Sequence, residues 1–205
     1  MKILNAYASI GGNRKIWSDE HEITAVEMDR KRAAYYQKLY HEDTVIVGDA
    51  HQYLLDNYMH FDFIWSSPPC PSHSDIRRCG VHSGQNKAIY ADMGLYQEII
   101  LLKTFFNGKF AIENVRPYYD PLITPDYIAD RHYFWCNFFV NGFVKKTQRK
   151  HSEITATSTV YGFNLNGTNI DNKRKCLRDL VDPDLGLHIL KNAESDLDIQ
   201  MQINI

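Results

Sequence analysis

The run Ser66-Ser67-Pro68-Pro69-Cys70-Pro71 places a thiol behind two prolines, just after a short apolar stretch. Ser-Pro-Pro followed by an aromatic ring would offer a stacking platform for a base whose exocyclic amine is modified; Cys70 cannot supply it. A cysteine suits another reaction. Carbon 5 of cytosine is a poor nucleophile, and a thiolate that adds to carbon 6 makes carbon 5 enamine-like. Protonation at ring nitrogen 3 must accompany that attack, and a carboxyl group whose pKa is raised in a partly desolvated pocket can donate the proton. Ala111-Ile112-Glu113-Asn114-Val115 offers such a group in Glu113, with Asn114 beside it to hold the loop. A single cysteine between prolines is more often an inert buried thiol. Paired with Glu113, it reads as a nucleophile.

A second set of residues describes a nucleoside pocket. Asn5-Ala6-Tyr7-Ala8-Ser9-Ile10-Gly11-Gly12 leads a strand into a tight glycine turn, where the backbone can approach a ligand closely. Glu27 ends a second strand and can accept hydrogen bonds from both ribose hydroxyls; Asp49 ends a third and can take an exocyclic amine. Either acid alone is an ordinary helix cap or solvated strand end. Three such strand ends in succession favour a nucleoside cofactor. Neither Gly-x-Gly-x-x-Gly nor Gly-Lys-Ser/Thr is present to cradle phosphates, so S-adenosylmethionine fits better than a dinucleotide.

The elements that must position these groups alternate along the chain. Strands are expected over residues 2–7, 23–27, 44–47, 61–65 and 110–112, and helices over 29–40, capped by Asp29, and 93–106. This alternation predicts an α/β fold with a mostly parallel, doubly wound, Rossmann-like sheet whose ligand sits at the carboxyl ends of the strands. Residues 71–93 read as a long polar loop able to close over a ligand, with Arg77 and Arg78 in it. Residues 147–172 read as loop-rich, and the segment after them as a terminal helix pair. The expected organisation is a catalytic domain over 1–146 and a small appendage over 147–205.

Composition bounds the rest. At 205 residues and 44% hydrophobic content, the chain can bury one substantial core. No apolar run approaches the roughly 18 residues of a membrane span, and the start lacks a signal-peptide layout, so a soluble, cytoplasmic protein is expected. Cys70, Cys79, Cys136 and Cys176 lack Cys-x-x-Cys spacing, which argues against a metal site or a disulfide framework. The net charge of -2 conceals a polarity: residues 1–130 carry 13 basic and 17 acidic side chains, 131–178 carry 9 and 2, and 179–205 carry 1 and 6. Lys145, Lys146, Arg149 and Lys150, with Lys173, Arg174, Lys175 and Arg178, make the middle block a candidate for phosphate contacts.

Taken in order, these stretches resemble the cytosine-5 DNA methyltransferase family. "LNAYASIGGNR" is similar to its first motif, "VEMD" to its ribose-binding second, "GDA" to its adenine-contacting third, "PPCPSHS" to its catalytic fourth and "ENV" to its sixth. The resemblance covers roughly residues 2–136. It implies that Tyr7, Ile10, Gly11, Gly12, Glu27, Met28, Asp49 and Ala50 line an S-adenosylmethionine site, with Cys70 as nucleophile and Glu113 as acid. "DRHYFWCNF" resembles the eighth motif: Arg131 matches an arginine there, while Tyr133 takes the place of the second. A cation such as Arg131, or a helix terminus, is expected to favour the Cys70 thiolate.

Asn5, Ser9, Pro71 and His73 depart from the family pattern. After residue 136 neither a large target-recognition domain nor the closing Gly-Asn motif is found, as in a short, phage-type member. DNA is the implied partner, with a partner chain or homo-oligomer as one way to complete the site. Two alternatives stay open: a cofactor- or DNA-binding protein without turnover of its own, and an RNA cytosine-5 methyltransferase.

Overall fold

A computed structural model describes residues 1–142 and 153–203, with side chains described up to residue 195. Its centre is a seven-stranded sheet built from β1 (Lys2–Ala6), β2 (Glu22–Glu27), β3 (Thr44–Val47), β4 (Phe63–Ser66), β5 (Lys109–Val115), β6 (Tyr127–Ala129) and β7 (His132–Cys136), in the order β3-β2-β1-β4-β5-β7-β6. The first five strands in that order pair in parallel; β7 is antiparallel to β5 and β6 antiparallel to β7. The order reverses between β1 and β4, and at such a switch point the loops leaving two neighbouring strands part and open a crevice. The α/β, Rossmann-like, mostly parallel sheet read from the alternation is the one observed.

Strand alternation decides which helix covers which face. On one face Leu4, Ile64, Phe110 and Ile112 pack with Leu54 of α2 (Ala50–Asn57) and with Leu95, Ile99 and Leu102 of α4 (Gly94–Phe105). On the other, Ile3, Phe63, Trp65 and Phe134 pack with Leu185, Ile189, Leu190 and Ala193 of α6 (Pro183–Ile203). The C-terminal segment is thus one outer layer of the central sheet. A further apolar cluster joins Ile10, in the loop after β1, to Ile154, Phe163, Leu165 and Leu177, the last in α5 (Lys173–Arg178). Among the described residues no helix is long and apolar enough to cross a membrane.

Two local expectations differ, and one helix is additional to those expected. The polar stretch 71–93 contains α3 (Asp75–His82), started by Ser74, whose hydroxyl accepts the Ile76 N–H; its Arg, Cys and Gly residues hide the helical period. Helix α2 follows Asp49 directly, too short for a clear period. β5 runs on to Val115 because β7 pairs with it, so Glu113 and Asn114 lie within the strand, not after it.

Candidate active site

A cavity of about 500 Å3 opens at the carboxyl ends of the parallel strands. Tyr7, Ser9, Gly12, Glu27, Met28 and Ala50 line one end, with Leu180 and Val181 against Gly12; Cys70, Glu113, Arg131, His132, Lys175, Arg178 and Asp179 line the other.

The first end is built from backbone. After β1 the chain takes left-handed conformations at Tyr7, Ser9 and Gly11 (φ 58°, 49° and 80°), and for the two non-glycine residues this strain is about 1–2 kcal/mol each. Glu27 holds the turn: its Oε2 accepts the Ser9 N–H at 2.9 Å, and its Oε1 accepts the Asp29 N–H at 2.7 Å, at the cap of α1 (Arg30–Leu39). Behind it a buried pair braces the loop, with Arg14 donating Nε to Asp43 at 3.0 Å and Nη2 at 3.1 Å, and Tyr36 donating to the same carboxylate. The glycines serve packing inside the protein. A Cβ on Gly11 would lie 2.4 Å from the Tyr40 ring, and one on Gly12 would lie 2.8 Å from the Val181 carbonyl oxygen. Each Glu27 oxygen keeps a lone pair for a hydroxyl, so this donor and acceptor set fits a ribose and would repel a phosphate.

Three residues expected at the cofactor stand back from the cavity lining. Ile10 is fully buried in the cluster with Phe163, and Gly11 faces Tyr36 and Tyr40 of the α1 side. Asp49 caps α2, its Oδ1 accepting the His51 and Gln52 N–H groups, and neighbouring Ala50 reaches the cavity instead.

The second end is built from side chains. The Cys70 carbonyl accepts the N–H groups of His73 and Ser74, which curls residues 70–74 into a turn. Asn114, buried in β5, donates its amide to the Pro68 carbonyl at 3.1 Å, tying the Pro-Pro-Cys loop to the neighbouring strand. Glu113 is 6% exposed, and its Oε1 lies 2.6 Å from His132 Nδ1. Burial pushes the Cys70 thiol up to about 11, with Asp179 and Glu113 adding to the shift and Lys175 opposing it. The thiol is therefore neutral at pH 7 in the free protein, and the cation that opposes its shift is Lys175, where Arg131 was expected.

Of the expected nucleic-acid contacts, Arg77 lines the cavity and donates to the Lys87 carbonyl, whereas Arg78 is exposed on α3 away from the lining. Lys145, Lys146, Arg149 and Lys150 lie outside the described residues. Tyr133 packs with the apolar cluster beneath α4 rather than entering the site. Sequence reasoning missed two contributors. His132 sits inside "DRHYFWCNF" and was visible as a titratable residue next to Arg131; Asp179 carried no signal, since only the fold brings α5 to Cys70.

The family model for C-5 cytosine-specific DNA methylases matches residues 1–121. No curated protein sequence is significantly similar. Among solved structures, the Entamoeba histolytica methyltransferase EhMeth aligns over 96% of this chain and 98% of its own, at 11% identity and TM-score 0.53, a likeness of fold. A variant of Spodoptera frugiperda DNMT2 aligns at 23% identity and TM-score 0.39 over 56% of this chain, which spans only 35% of that one. An Agrobacterium tumefaciens SAM-dependent methyltransferase aligns at 13% identity and TM-score 0.41, over 58% and 40% of the two chains. With the family motifs gathered around one cavity at the sheet's switch point, the chain belongs to the C-5 cytosine-specific DNA methylase family, whose cofactor is S-adenosylmethionine.

Proposed function

We propose that the protein methylates carbon 5 of a cytosine in DNA through a covalent adduct with Cys70. The observation that carries this reading is that Cys70 and Glu113 line one cavity together with Glu27 and Tyr7. A target base swung out of the stack would enter between them. Cys70 adds through sulfur to carbon 6, and because its thiol is neutral in the free protein, the thiol proton must leave as the bond forms. Glu113 holds ring nitrogen 3 and gives it a proton, while His132 stays hydrogen-bonded to the carboxylate that results. Bound S-adenosylmethionine supplies the methyl group. Loss of the carbon 5 proton to water then expels Cys70 as the thiolate, and nitrogen 3 returns its proton to the Glu113 carboxylate, which restores both the ring and the acid.

The basic residues at the cavity mouth, Arg77, Lys175 and Arg178, suit a polyanion passing over the site. The test uses DNA in which fluorine replaces the carbon 5 hydrogen of cytosine, so that the last step is blocked and the adduct persists. Wild type should form a species stable to denaturing electrophoresis, whereas Cys70→Ala forms none and its transfer of labelled methyl to ordinary DNA falls by at least about 1,000-fold. Transfer at the wild-type rate by Cys70→Ala would remove the covalent route. Transfer to RNA with none to DNA would move the protein to the other substrate.

A further inference from the structure

Helix α4 buries an apolar face made of Leu95, Tyr96, Ile99 and Leu102, and in the middle of that face stands a carboxylate, Glu98, only 1% exposed. A lone carboxylate there would be strongly unfavourable, so its partners matter. It has three. Glu98 Oε1 accepts the Tyr7 hydroxyl at 2.6 Å and faces His51 Nδ1 at 2.9 Å, and Oε2 accepts the Ser66 hydroxyl at 2.6 Å. These donors belong to the loop leaving β1, the first turn of α2 and the last residue of β4. Each segment supplies the cavity through a neighbouring residue: Tyr7 and Ala8, Ala50, and Ser67 with Pro68. Glu98 itself does not line the cavity.

We infer that Glu98 is a positioning residue for the cofactor, holding the Tyr7 ring and the ends of β1, β4 and α2 in the arrangement that S-adenosylmethionine meets. This rests on the assignment of the Tyr7 and Glu27 end of the cavity to the cofactor. The chemistry is that of a shared anchor. Tyr7 sits in a left-handed conformation, which costs energy unless its surroundings fix it, and the Tyr7–Glu98 bond is the fixing contact at the tip of its side chain. Burial, with Glu98 next in strength, keeps the Tyr7 phenol protonated and therefore a donor at every ordinary pH. The bond to Glu98 likewise raises the His51 imidazole.

Calorimetric binding of S-adenosylhomocysteine to the full chain, with KM and kcat for S-adenosylmethionine where turnover is measured, tests this. Glu98→Leu fits an apolar helix face but strands three donors, and Tyr7→Phe removes one bond and leaves the ring. Both should weaken binding, Glu98→Leu by about tenfold or more and Tyr7→Phe by about three- to tenfold, raising KM with little change in kcat. Added to Glu98→Leu, Tyr7→Phe should cost nothing further, because the bond is already gone. Glu98→Gln should restore affinity to within about threefold, since its amide oxygen can accept from Tyr7 and His51 and its NH2 can donate to Ser66. Tyr7→Phe and Glu98→Leu with wild-type affinity overturn the proposal; where Glu98→Leu fails to fold by circular dichroism, Tyr7→Phe decides alone. Glu27→Ala separates the two claims: its loss of binding beside silent Tyr7→Phe removes only the positioning role, and its silence removes the pocket assignment as well.

Discussion

The two ends of the cavity are held by different physics. At the Glu27 end the lining comes from residues 7–50 and is held by hydrogen bonds to the main chain: Ser9 and Asp29 N–H groups on Glu27, the Tyr40 hydroxyl on the Gly11 carbonyl. At the Cys70 end the lining comes from four segments far apart in sequence, around residues 70, 113, 131 and 175–179. There the 70–74 turn and the Asn114–Pro68 bond hold the main chain, and the side chains around it are paired, Lys175 and Arg178 with Asp179 and His132 with Glu113. A cofactor that binds in every cycle suits a prebuilt mould. On the proposed mechanism, a base that is protonated, attacked and released suits groups that can shift.

Gly11→Ala should break the mould with the largest effect. The residue has φ +80°, and a Cβ would lie 2.4 Å from Tyr40 Cε2 and 2.8 Å from Tyr36 Cε2, rings that are themselves in contact. Conformational strain of about 1 kcal/mol and forced repacking of 1–3 kcal/mol predict a loss near 3 kcal/mol, read as a lower urea midpoint. Gly84→Ala is the control: φ is +73° but nothing lies within 4 Å, so only the conformational part, about 1 kcal/mol, should appear. Equal losses at the two sites would mean that the packing behind the Gly11 turn is soft and the mould is not rigid.

The same contrast explains what was legible in the sequence. The Glu27 end is local: a strand, a turn with glycines, and an acid at the end of the next strand fall within thirty residues, and their alternation gave both the sheet and the pocket. Even so, spacing alone did not show that Gly11 packs against the Tyr36 and Tyr40 rings or that Asp49 caps α2. At the other end Cys70 and Glu113 were legible because each has chemistry of its own. Asp179 and Lys175 were not assignable to the site, since their place beside Cys70 depends on α6 packing across the sheet and carrying α5 with it, a contact between residues more than a hundred apart.

Charge at the Cys70 end can be read through the thiol itself. An increase from 9.0 to about 11 leaves roughly one hundredth of the thiolate that an unperturbed cysteine would hold at pH 7. Iodoacetamide should therefore label Cys70 about 100-fold more slowly than an unperturbed thiol, with a rate that climbs about tenfold per pH unit toward pH 11. Mass spectrometry of the Cys70 peptide follows the reaction, and exposed Cys79 gives a reference in the same sample. Burial is the largest cause and is unchanged by surface variants, but Asp179→Asn removes the leading negative charge and should speed labelling. A thiol that labels at the ordinary rate at pH 7 would show that charge and burial do not control this end.

The smallest of these effects, and the sharpest test of separate ends, is His132→Ala. Its Nδ1 lies 2.6 Å from Glu113 Oε1, with both side chains largely buried, so the substitution leaves Glu113 with one charge-assisted hydrogen bond fewer. Such a bond is worth about 1.5 kcal/mol, which predicts roughly a tenfold fall in kcat for methyl transfer to DNA. Affinity for S-adenosylhomocysteine should stay within about twofold, because the Tyr7 and Glu27 contacts are made by other segments. His132→Gln keeps a donor that can reach the carboxylate and should recover part of the rate. A tenfold loss of cofactor affinity alongside the loss of rate would mean that disturbance at Glu113 reaches the backbone mould, most directly through Asn114 and the Pro68 carbonyl, and that the two ends respond as one unit.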